Sequence, residues 1–237
     1  MKIAYFMTRN IYYQVIPSLR SLLANNEVEK IYLFVEDDSV GFDLPEQCEV
    51  INISHQTEFT AANTPNWHSP FSWIVLMRAC IAKLIPDDKI LMLDVDTVIC
   101  GDLSELWNTD MKDKWFCAAP EYFASHRPYG TKYYNVGVLL LNLEQIRKDG
   151  IDDKIIDFLH HKRVPYAEQD AWNALGMAKA MDMPVRYNEC FATGWTTNPA
   201  IVHYAGIRNW YDNKEMKRRE YLDRWMQNVD GIRYENK

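Results

Sequence analysis

The sequence lacks the features of several large protein classes. No stretch of the 237-residue chain approaches the roughly 18 consecutive apolar residues that span a bilayer. The apolar start, MKIAYFMTRN, is interrupted too soon to form the core of a signal peptide. The chain has no internal repeat, no low-complexity tract and no linker rich in Pro, Gly and Ser. We therefore expect one folded domain in the cytoplasm.

Paired cysteines and clustered positive charge are also missing. The chain has five cysteines, Cys48, Cys80, Cys100, Cys117 and Cys190. Their odd number and the absence of a paired zinc spacing argue against a disulfide framework and fit a reducing cytosol. A formal net charge of −7 would repel a polyanion, so we expect no nucleic-acid partner.

What is present is an alternation of short apolar runs with helical patterns. The apolar runs cover residues 3–7, 31–35, 50–53, 90–93 and 136–141. Helical spacing of apolar residues predicts a crossover helix after the first run and a second helix over 74–84. Such alternation is typical of βαβ units. The sequence therefore predicts an α/β fold with a single domain, Rossmann-like, around a mostly parallel central sheet.

Two aspartates follow the apolar run that ends at Leu93. Asp94 and Asp96, in LDVDTVIC, are two residues apart, so an extended backbone directs both carboxylates to one face. Ligands of open α/β sheets bind beyond the carboxyl ends of the strands, where two hard oxygen ligands suit Mg²⁺ or Mn²⁺ at a diphosphate. Aspartates after strands are also common turn residues, so the spacing alone leaves a structural interpretation open.

Two classes of enzyme use such an aspartate pair. In the first, Asp94 would be the nucleophile of a phosphatase, because DVDTV resembles the D-x-D-x-[TV] signature of the haloacid-dehalogenase family. In that family, however, the pair normally lies near the N-terminus, whereas here it lies beyond residue 90. In the second class, both aspartates hold the metal of a nucleotide-sugar transferase.

Four blocks of sequence favour the second class. They are ILMLDVDTVICGDLSELW at 90–107, YYNVGVLLLNL at 133–143, EQDAWN at 168–173 and HYAG at 203–206. In order and spacing they resemble family 8 of the retaining glycosyltransferases, which includes glycogenin and bacterial lipopolysaccharide galactosyl- and glucosyltransferases. The resemblance implies a nucleotide-sugar-binding fold of the GT-A type. It also implies transfer of a hexose from UDP-glucose or UDP-galactose to a glycan or glycolipid acceptor, such as a lipopolysaccharide or other surface glycan.

The resemblance implies a metal site. Asp94 and Asp96 match the D-x-D motif of the family, which binds Mn²⁺ and, through its first aspartate, the ribose of the donor; Val95 between them belongs to the same nucleotide-binding segment. His203 matches the histidine that completes the metal site. On its own, His203 would more readily be interpreted as a structural histidine. Mn²⁺ accepts nitrogen as well as oxygen ligands, and Mg²⁺ is the alternative ion.

The resemblance also implies a nucleotide site. The first loop, TRNIY, resembles T-N-x-x-Y, which places Thr8 at the nucleotide and Tyr12 against the uracil ring. Arg78 matches a basic residue at the nucleotide. Without the resemblance, Tyr12 is interpreted as a buried aromatic residue and Arg78 as a solvated residue of an amphipathic helix.

Further matches concern the sugar. Asn135 matches an asparagine that contacts the donor sugar, and Gly137 lets the backbone approach closely. EQDAWN corresponds to D-Q-x-x-x-N, which implies that Glu168 binds sugar hydroxyls and that Gln169 lies near the anomeric carbon; these two are the candidate catalytic residues. An acidic residue at position 168 also has a structural explanation, because negative charge is favoured in the first turn of a helix. Glu121 matches a position on the acceptor side.

Three positions depart from the family pattern. HYAGIRN matches H-x-x-G-x-x-K, in which the backbone of Gly206 would bind the diphosphate. The phosphate-binding lysine is replaced by Asn209, with Arg208 as the nearest cation. Glu168 replaces an aspartate, and Arg9 replaces an asparagine in the first loop. Since the lysine is missing, a non-catalytic nucleotide-sugar-binding protein stays open as an alternative.

We divide the chain into a catalytic domain at 1–210 and a C-terminal helical tail at 211–237 that packs on it. The tail mixes basic and aromatic residues, which are Lys214, Lys217, Arg218, Arg219, Arg224, Tyr211, Tyr221 and Trp225. Two interpretations stay open. The tail is either an ordinary terminal helix with solvated charges or a weak peripheral contact with the inner face of the membrane.

Overall fold

The computed structural model describes residues 1–69, 71–122, 132–207 and 209–227. In this part of the chain the strands are β1 (Lys2–Met7), β2 (Lys30–Val35), β3 (Cys48–Asn52), β4 (Lys89–Leu93), β5 (Thr97–Ile99), β6 (Phe116–Pro120), β7 (Tyr134–Asn142), β8 (Ala180–Asp182) and β9 (Ile201–His203). The α-helices are α1 (Val15–Asn25), α2 (Trp73–Met77), α3 (Ile81–Leu84), α4 (Ser104–Trp107), α5 (Leu143–Asp149), α6 (Ile151–His161), α7 (Ala167–Gly176) and α8 (Arg219–Asp223). Short 3-10 turns occur at Arg9–Gln14, Arg78–Cys80, Met177–Lys179 and Val185–Tyr187.

The central sheet has seven strands in the order β3-β2-β1-β4-β7-β6-β8. The pairs β1–β2, β2–β3, β1–β4 and β6–β8 are parallel, whereas β7 is antiparallel to both β4 and β6. Each apolar run of the sequence overlaps one of β1, β2, β3, β4 and β7, and α1 is the expected crossover helix. The predicted α/β class with a mostly parallel sheet is confirmed.

The inner strands β1, β2, β4 and β7 are buried on both faces of the sheet. Alternate residues of a strand point to opposite sides, so Ile3, Tyr5 and Met7 of β1 pack with α1. Ala4 and Phe6 point the other way, into the cluster formed with α6 and α7. Burial on both faces explains why the strands were recognisable as continuous apolar runs rather than as an alternating pattern.

The helix expected over 74–84 is interrupted, so a continuous helix was a wrong prediction. α2 ends at Met77, and a 3-10 turn at Arg78–Cys80 precedes α3. The interruption lies where the Arg78 side chain enters the core, at 6% exposure. The pattern of apolar residues could not reveal it, because the residues before and after the turn, Met77 and Ile81, are both buried.

A second, two-stranded sheet joins β5 to β9. The strands are antiparallel, and Thr97 pairs with His203. The amide of Tyr204 extends the pairing by donating to the carbonyl of Asp96 over 2.8 Å. Helix α1 supports this small sheet, since the hydroxyl of Ser18 lies 3.0 Å from that of Thr97. The small sheet therefore places His203 directly beside the segment that carries the aspartates.

The described part of the C-terminal region packs on the small sheet. Tyr211, Met216 and Leu222 are buried in a cluster with Val98 and Val202. The only α-helix beyond β9 within the described residues is the short α8, and residues 228–237 of the expected tail lie outside them. The division at residue 210 stays a prediction. No helix in the described ranges is long and apolar enough to cross a membrane.

The packing of α7 on the sheet generates a stability prediction at Gly176. A methyl group there would lie 2.7 Å from Cε1 of Phe116, whose ring is fully buried and packs edge-on against Trp172. We expect Gly176→Ala to lower the free energy of unfolding by about 1–3 kcal/mol, because overpacking outweighs the gain in helix propensity. Urea unfolding monitored by tryptophan fluorescence measures this change.

Gly101→Ala is the matched control. Its added methyl group would come no closer than 3.8 Å to Ala200. The expected change is within about 0.5 kcal/mol. Equal stability of the two variants would contradict the packing of α7 described above.

Candidate active site

The candidate site lies where several strands of the sheet end together. β1, β2 and β4 are parallel, so Thr8, Glu36 and Asp94, which follow them, lie at the same edge. This edge is where ligands of open α/β sheets bind. The two short strands β5 and β9 bring His203 to the same edge, beside Asp96.

Asp94, Asp96 and His203 converge at this edge. Nε2 of His203 lies 3.3 Å from Oδ1 of Asp96 and 3.5 Å from Oδ2 of Asp94. One ligand atom from each residue lies within 4.8 Å of the other two. Among the described residues, this is the only such group of His, Cys, Asp or Glu side chains. The cluster is a candidate metal centre.

The buried ring of His203 directs its Nε2 toward the two carboxylates. Its Nδ1 lies 2.8 Å from Oδ1 of Asn188, whereas Nε2 makes no hydrogen bond among the described residues. Burial alone would lower the pKa of His203, but the carboxylates of Asp96 and Asp94 outweigh burial and hold the pKa well above its usual value. Without a metal, a proton is the cation that this site attracts. Two carboxylate oxygens and one imidazole nitrogen suit Mn²⁺, so the residues fit the implied ion.

Gly137 shapes the wall of this cluster. Its carbonyl accepts the amide N–H of Asp94 over 2.7 Å, which holds the first aspartate against β7. A methyl group at Gly137 would lie 2.1 Å from Cε1 of His203 and 2.8 Å from Oδ2 of Asp94. Any side chain at this position would therefore displace two members of the cluster.

Arg78 lies behind Asp94 and is buried, so the interpretation as a solvated residue was wrong. One guanidinium nitrogen pairs with Oδ1 of Asp94, and another donates to the carbonyl of Val136 over 2.6 Å. Nε lies 3.1 Å from Oε1 of Glu168. Burial disfavours the charge, but Asp94 and Glu168 outweigh it and raise the pKa of Arg78 further. In this structure the guanidinium links an aspartate of the cluster to the first candidate catalytic residue.

Glu168 is a buried carboxylate with a strongly shifted pKa. Burial, more than any neighbouring charge, raises the pKa of Glu168 to about 7, and the attraction of Arg78 offsets it only in part. The preceding residue, Ala167, has a φ of 48°, a left-handed conformation that costs an alanine about 1–2 kcal/mol. The strained residue turns the chain at the start of α7, where Glu168 points into the site.

Gln169 is held by a hydrogen-bond network. Its Oε1 accepts the amide N–H of Val136 over 3.1 Å, and its Nε2 donates to the Tyr133 hydroxyl at 3.1 Å and to Oε1 of Glu121 at 3.3 Å. Nδ2 of Asn135 donates to the same Glu121 oxygen over 3.3 Å. The structure thus brings Glu121, Asn135 and Gln169 together, and their roles toward the sugar and the acceptor stay predictions.

Two members of this network were missed by sequence reasoning. Asn188 contacts both His203 and Asn135, and Tyr133 links Gln169 to Asp170. Asn188 follows a 3-10 turn outside every block. Tyr133 is the first residue of the 133–143 block, but nothing in the sequence indicated its contact with Gln169.

The first loop occupies the same edge of the sheet. Tyr12 is 4% exposed, and its hydroxyl accepts the amide N–H groups of Glu36 and Asp37 at 3.0 and 3.1 Å. Tyr12 therefore holds the loop after β2, as the interpretation as a buried aromatic residue expected, and its contact with uracil stays a prediction. Thr8 precedes the 3-10 turn and donates to Asn10 over 2.6 Å.

The segment after β9 carries the candidate phosphate-binding residues. Gly206 has a φ of 71°, a conformation that favours glycine. Asn209 has a φ of 53°, and its carbonyl accepts the amide of Asp212 over 3.0 Å. Arg208, named above as the nearest cation, lies outside the described residues.

Comparison with known proteins agrees with the resemblance of the four sequence blocks. The model of Glycosyl transferase family 8 matches residues 2–214. Glycosyltransferase GlyA of Streptococcus pneumoniae serotype 4 is 27% identical over 236 residues, which cover 90% of this chain and 32% of GlyA. The lipopolysaccharide 1,2-glucosyltransferase of Escherichia coli is 26% identical over 153 residues, 53% of this chain and 45% of that protein. The chain therefore spans about a third to a half of the length of these relatives.

Solved structures share the fold. The galactosyltransferase LgtC, in complex with donor and acceptor sugar analogues, superposes with a TM-score of 0.75 at 19% identity. The match covers 98% of this chain and 96% of LgtC. An active-site mutant of LgtC superposes with a TM-score of 0.77. The architecture is that of the GT-A type.

Gly137→Ala tests the assembled cluster. The added methyl group must displace the His203 ring or the Asp94 carboxylate, so we expect Mn²⁺ affinity to fall by about tenfold or more. Titration of free Mn²⁺ by electron paramagnetic resonance measures the affinity, with Gly101→Ala as the glycine control. Unchanged affinity in Gly137→Ala would show that Asp94 and His203 do not bind the ion together.

The raised pKa of Glu168 predicts a pH dependence of stability. The folded protein binds this proton up to pH about 7, whereas the unfolded chain releases it near its ordinary value of 4.5. The free energy of unfolding should therefore fall as pH rises from 4.5 to 7, by about 3 kcal/mol from this group. Urea unfolding of wild type and Glu168→Gln between pH 4.5 and 8 isolates the contribution, because the variant lacks it. Parallel pH profiles would contradict the shift.

Proposed function

The chain belongs to glycosyl transferase family 8, and on that premise we propose that it transfers glucose or galactose from a UDP-sugar to a glycan or glycolipid acceptor with the help of a divalent metal. The observation that carries the proposal is the convergence of Asp94, Asp96 and His203 at the ligand-binding edge of the sheet. A diphosphate is the group that such a metal centre is suited to bind.

Asp94, Asp96 and His203 would hold Mn²⁺, with Mg²⁺ as the alternative. When bound, the ion supplies positive charge that stabilises the diphosphate as it leaves the sugar. The nucleotide would lie beside Thr8 and Tyr12, which follow β1, and beside Val95, which follows β4. The backbone of Gly206, with Arg208 or Asn209, would bind the diphosphate from the other side.

The donor sugar would lie between Asn135 and Glu168. Since Glu168 has a pKa of about 7, it can exchange between donating and accepting hydrogen bonds with sugar hydroxyls near neutral pH. Its extra methylene, compared with the aspartate of the family pattern, changes the fit around the sugar hydroxyls. Arg78 keeps Glu168 and Asp94 at a fixed separation, because it pairs with both.

The neutral side chain of Gln169 limits the choice of mechanism. A carboxamide is a weak nucleophile, and both ends of this one are engaged by Val136, Tyr133 and Glu121. We therefore favour attack by the acceptor hydroxyl on the face from which UDP departs, with Gln169 beside the anomeric carbon. The new bond forms to the acceptor oxygen as the bond to the diphosphate oxygen breaks, and the hydroxyl proton passes to the departing diphosphate. The configuration at the anomeric carbon is retained.

The acceptor is proposed to be a lipopolysaccharide, glycolipid or other surface glycan, which would approach on the side of Glu121. The similarity to a lipopolysaccharide 1,2-glucosyltransferase supports this choice. A cytoplasmic enzyme, in weak peripheral contact with the inner face of the membrane, would meet such an acceptor during its synthesis.

A non-catalytic nucleotide-sugar-binding protein is the second candidate. The observation in its favour is Asn209, which stands where the family pattern has a phosphate-binding lysine. Such a protein would bind UDP with Mn²⁺ and leave the sugar intact. Membership in the glycosyltransferase family accounts for the aspartate pair without a phosphatase activity.

Release of UDP from UDP-glucose and UDP-galactose tests the proposal. Without an acceptor, we expect slow hydrolysis of the donor that depends on Mn²⁺ and stops when a chelator is added. The donor that is hydrolysed faster identifies the transferred sugar. Asp96→Asn should reduce the rate by about 100-fold or more, since it removes a charged metal ligand. Asp102→Asn, at an exposed aspartate of the same segment, should leave it unchanged.

Two outcomes would contradict the enzyme proposal. UDP binding that depends on Mn²⁺, with no turnover of either donor, would favour the binding protein. Release at equal rates from wild type and Asp96→Asn would show that the aspartate pair is not the catalytic metal centre.

A further inference from the structure

Asn188 is a fully buried side chain placed between the metal cluster and Asn135. It ends the 3-10 turn Val185–Tyr187 and has no exposed surface. Its Oδ1 lies 2.8 Å from Nδ1 of His203, and its Nδ2 donates to Oδ1 of Asn135 over 2.9 Å. Each end of the amide thus contacts one residue of the candidate active site.

The hydrogen-bond network fixes which way this amide points. The backbone N–H of Gly137 can only donate, and it does so to Asn135 over 3.1 Å, so the atom of Asn135 that faces it is the oxygen. The other end of Asn135 is then the nitrogen, which donates to the Glu121 carboxylate. Because the oxygen of Asn135 accepts, Asn188 must turn its nitrogen toward Asn135 and its oxygen toward His203.

This orientation determines the state of the imidazole. An amide oxygen only accepts, so Nδ1 of His203 must carry a proton to complete the 2.8 Å contact. In the neutral ring, the lone pair then lies on Nε2, the nitrogen that faces Asp94 and Asp96. A metal can bind only that lone pair.

We propose that Asn188 is the positioning residue of the metal centre, which selects the Nδ1-protonated form of His203 and holds its ring toward the two aspartates. The inference rests on the proposed function for the identity of the ion. Through Asn135, the same network continues to Glu121 and Gln169, so the orientation of the metal ligand and of the candidate catalytic amide is set by one chain of hydrogen bonds.

The test measures Mn²⁺ affinity in the absence of donor, by electron paramagnetic resonance of the full chain. Asn188→Leu keeps the approximate size of the side chain and removes both hydrogen bonds. We expect it to weaken Mn²⁺ binding by about 10- to 100-fold, the usual effect of losing an outer-shell contact to a metal-bound histidine. Asn188→Asp retains an acceptor for Nδ1 and should recover most of the affinity.

Asn66→Leu is the matched control for general loss of buried hydrogen bonds. Asn66 is 1% exposed, and its amide bonds to the backbone of Leu159, Lys162 and Val164, none of which lies in the site. It should lower stability without changing Mn²⁺ affinity. A double-mutant cycle with His203→Gln adds a second readout: Asn188→Leu should have little further effect once the histidine is gone, since it acts through that ring.

The outcomes separate this inference from the proposed function. Mn²⁺ binding that is lost in His203→Gln but unchanged in Asn188→Leu would overturn the positioning role alone. Equal losses in Asn188→Leu and Asn66→Leu, or additive effects in the cycle, would also overturn it. If Asn188→Leu does not fold, weak binding by the Asn188→Asp variant counts against the role in the same way. No binding by the wild type would overturn both proposals.

Discussion

The antiparallel pairing of Thr97 with His203 is the constraint from which the site is built. Asp96 precedes Thr97, so the pairing fixes the distance between this carboxylate and the imidazole ring. Asp94 is fixed separately, by the hydrogen bond from its amide to Gly137 on β7. The cluster therefore forms only when the small sheet docks against the end of the central sheet, with α1 as its support. Rigid elements hold every member, which is what precise metal geometry requires.

Charge balance is the second constraint. Asp94, Asp96 and Glu168 lie close together, and the buried Arg78 pairs with two of them. Removing one partner from such a buried pair generally costs about 3–5 kcal/mol, because the other charge stays behind. Burial raises the pKa of Glu168, whereas at His203 the excess negative charge of Asp96 and Asp94 outweighs the opposite effect of burial and raises the pKa of the imidazole. A divalent cation would relieve this excess where the diphosphate is expected to bind.

The sequence was most informative where function depends on local pattern. The apolar runs located the main strands. The spacing of Asp94 and Asp96 predicted convergent carboxylates at the end of a strand, but a turn at Val95 and Asp96, and not the expected extended backbone, brings them together. The family resemblance then identified His203 as the third candidate ligand of the metal. Contacts between distant segments were not predictable: the burial of Arg78 follows from an interruption between α2 and α3, and Asn188 becomes visible only when β9 folds beside its turn. The apolar pattern indicates neither the interrupted helix nor the position of Asn188, because buried residues precede and follow both places in the sequence.

The central claim is that Asp94, Asp96 and His203 together bind the metal that holds the diphosphate. The most direct measurement is the anomalous difference density of crystals grown with Mn²⁺ and UDP. Our account predicts a strong peak in contact with all three side chains, with the diphosphate beside it. A peak elsewhere, or UDP bound at this edge with no ion at the three residues, would contradict it.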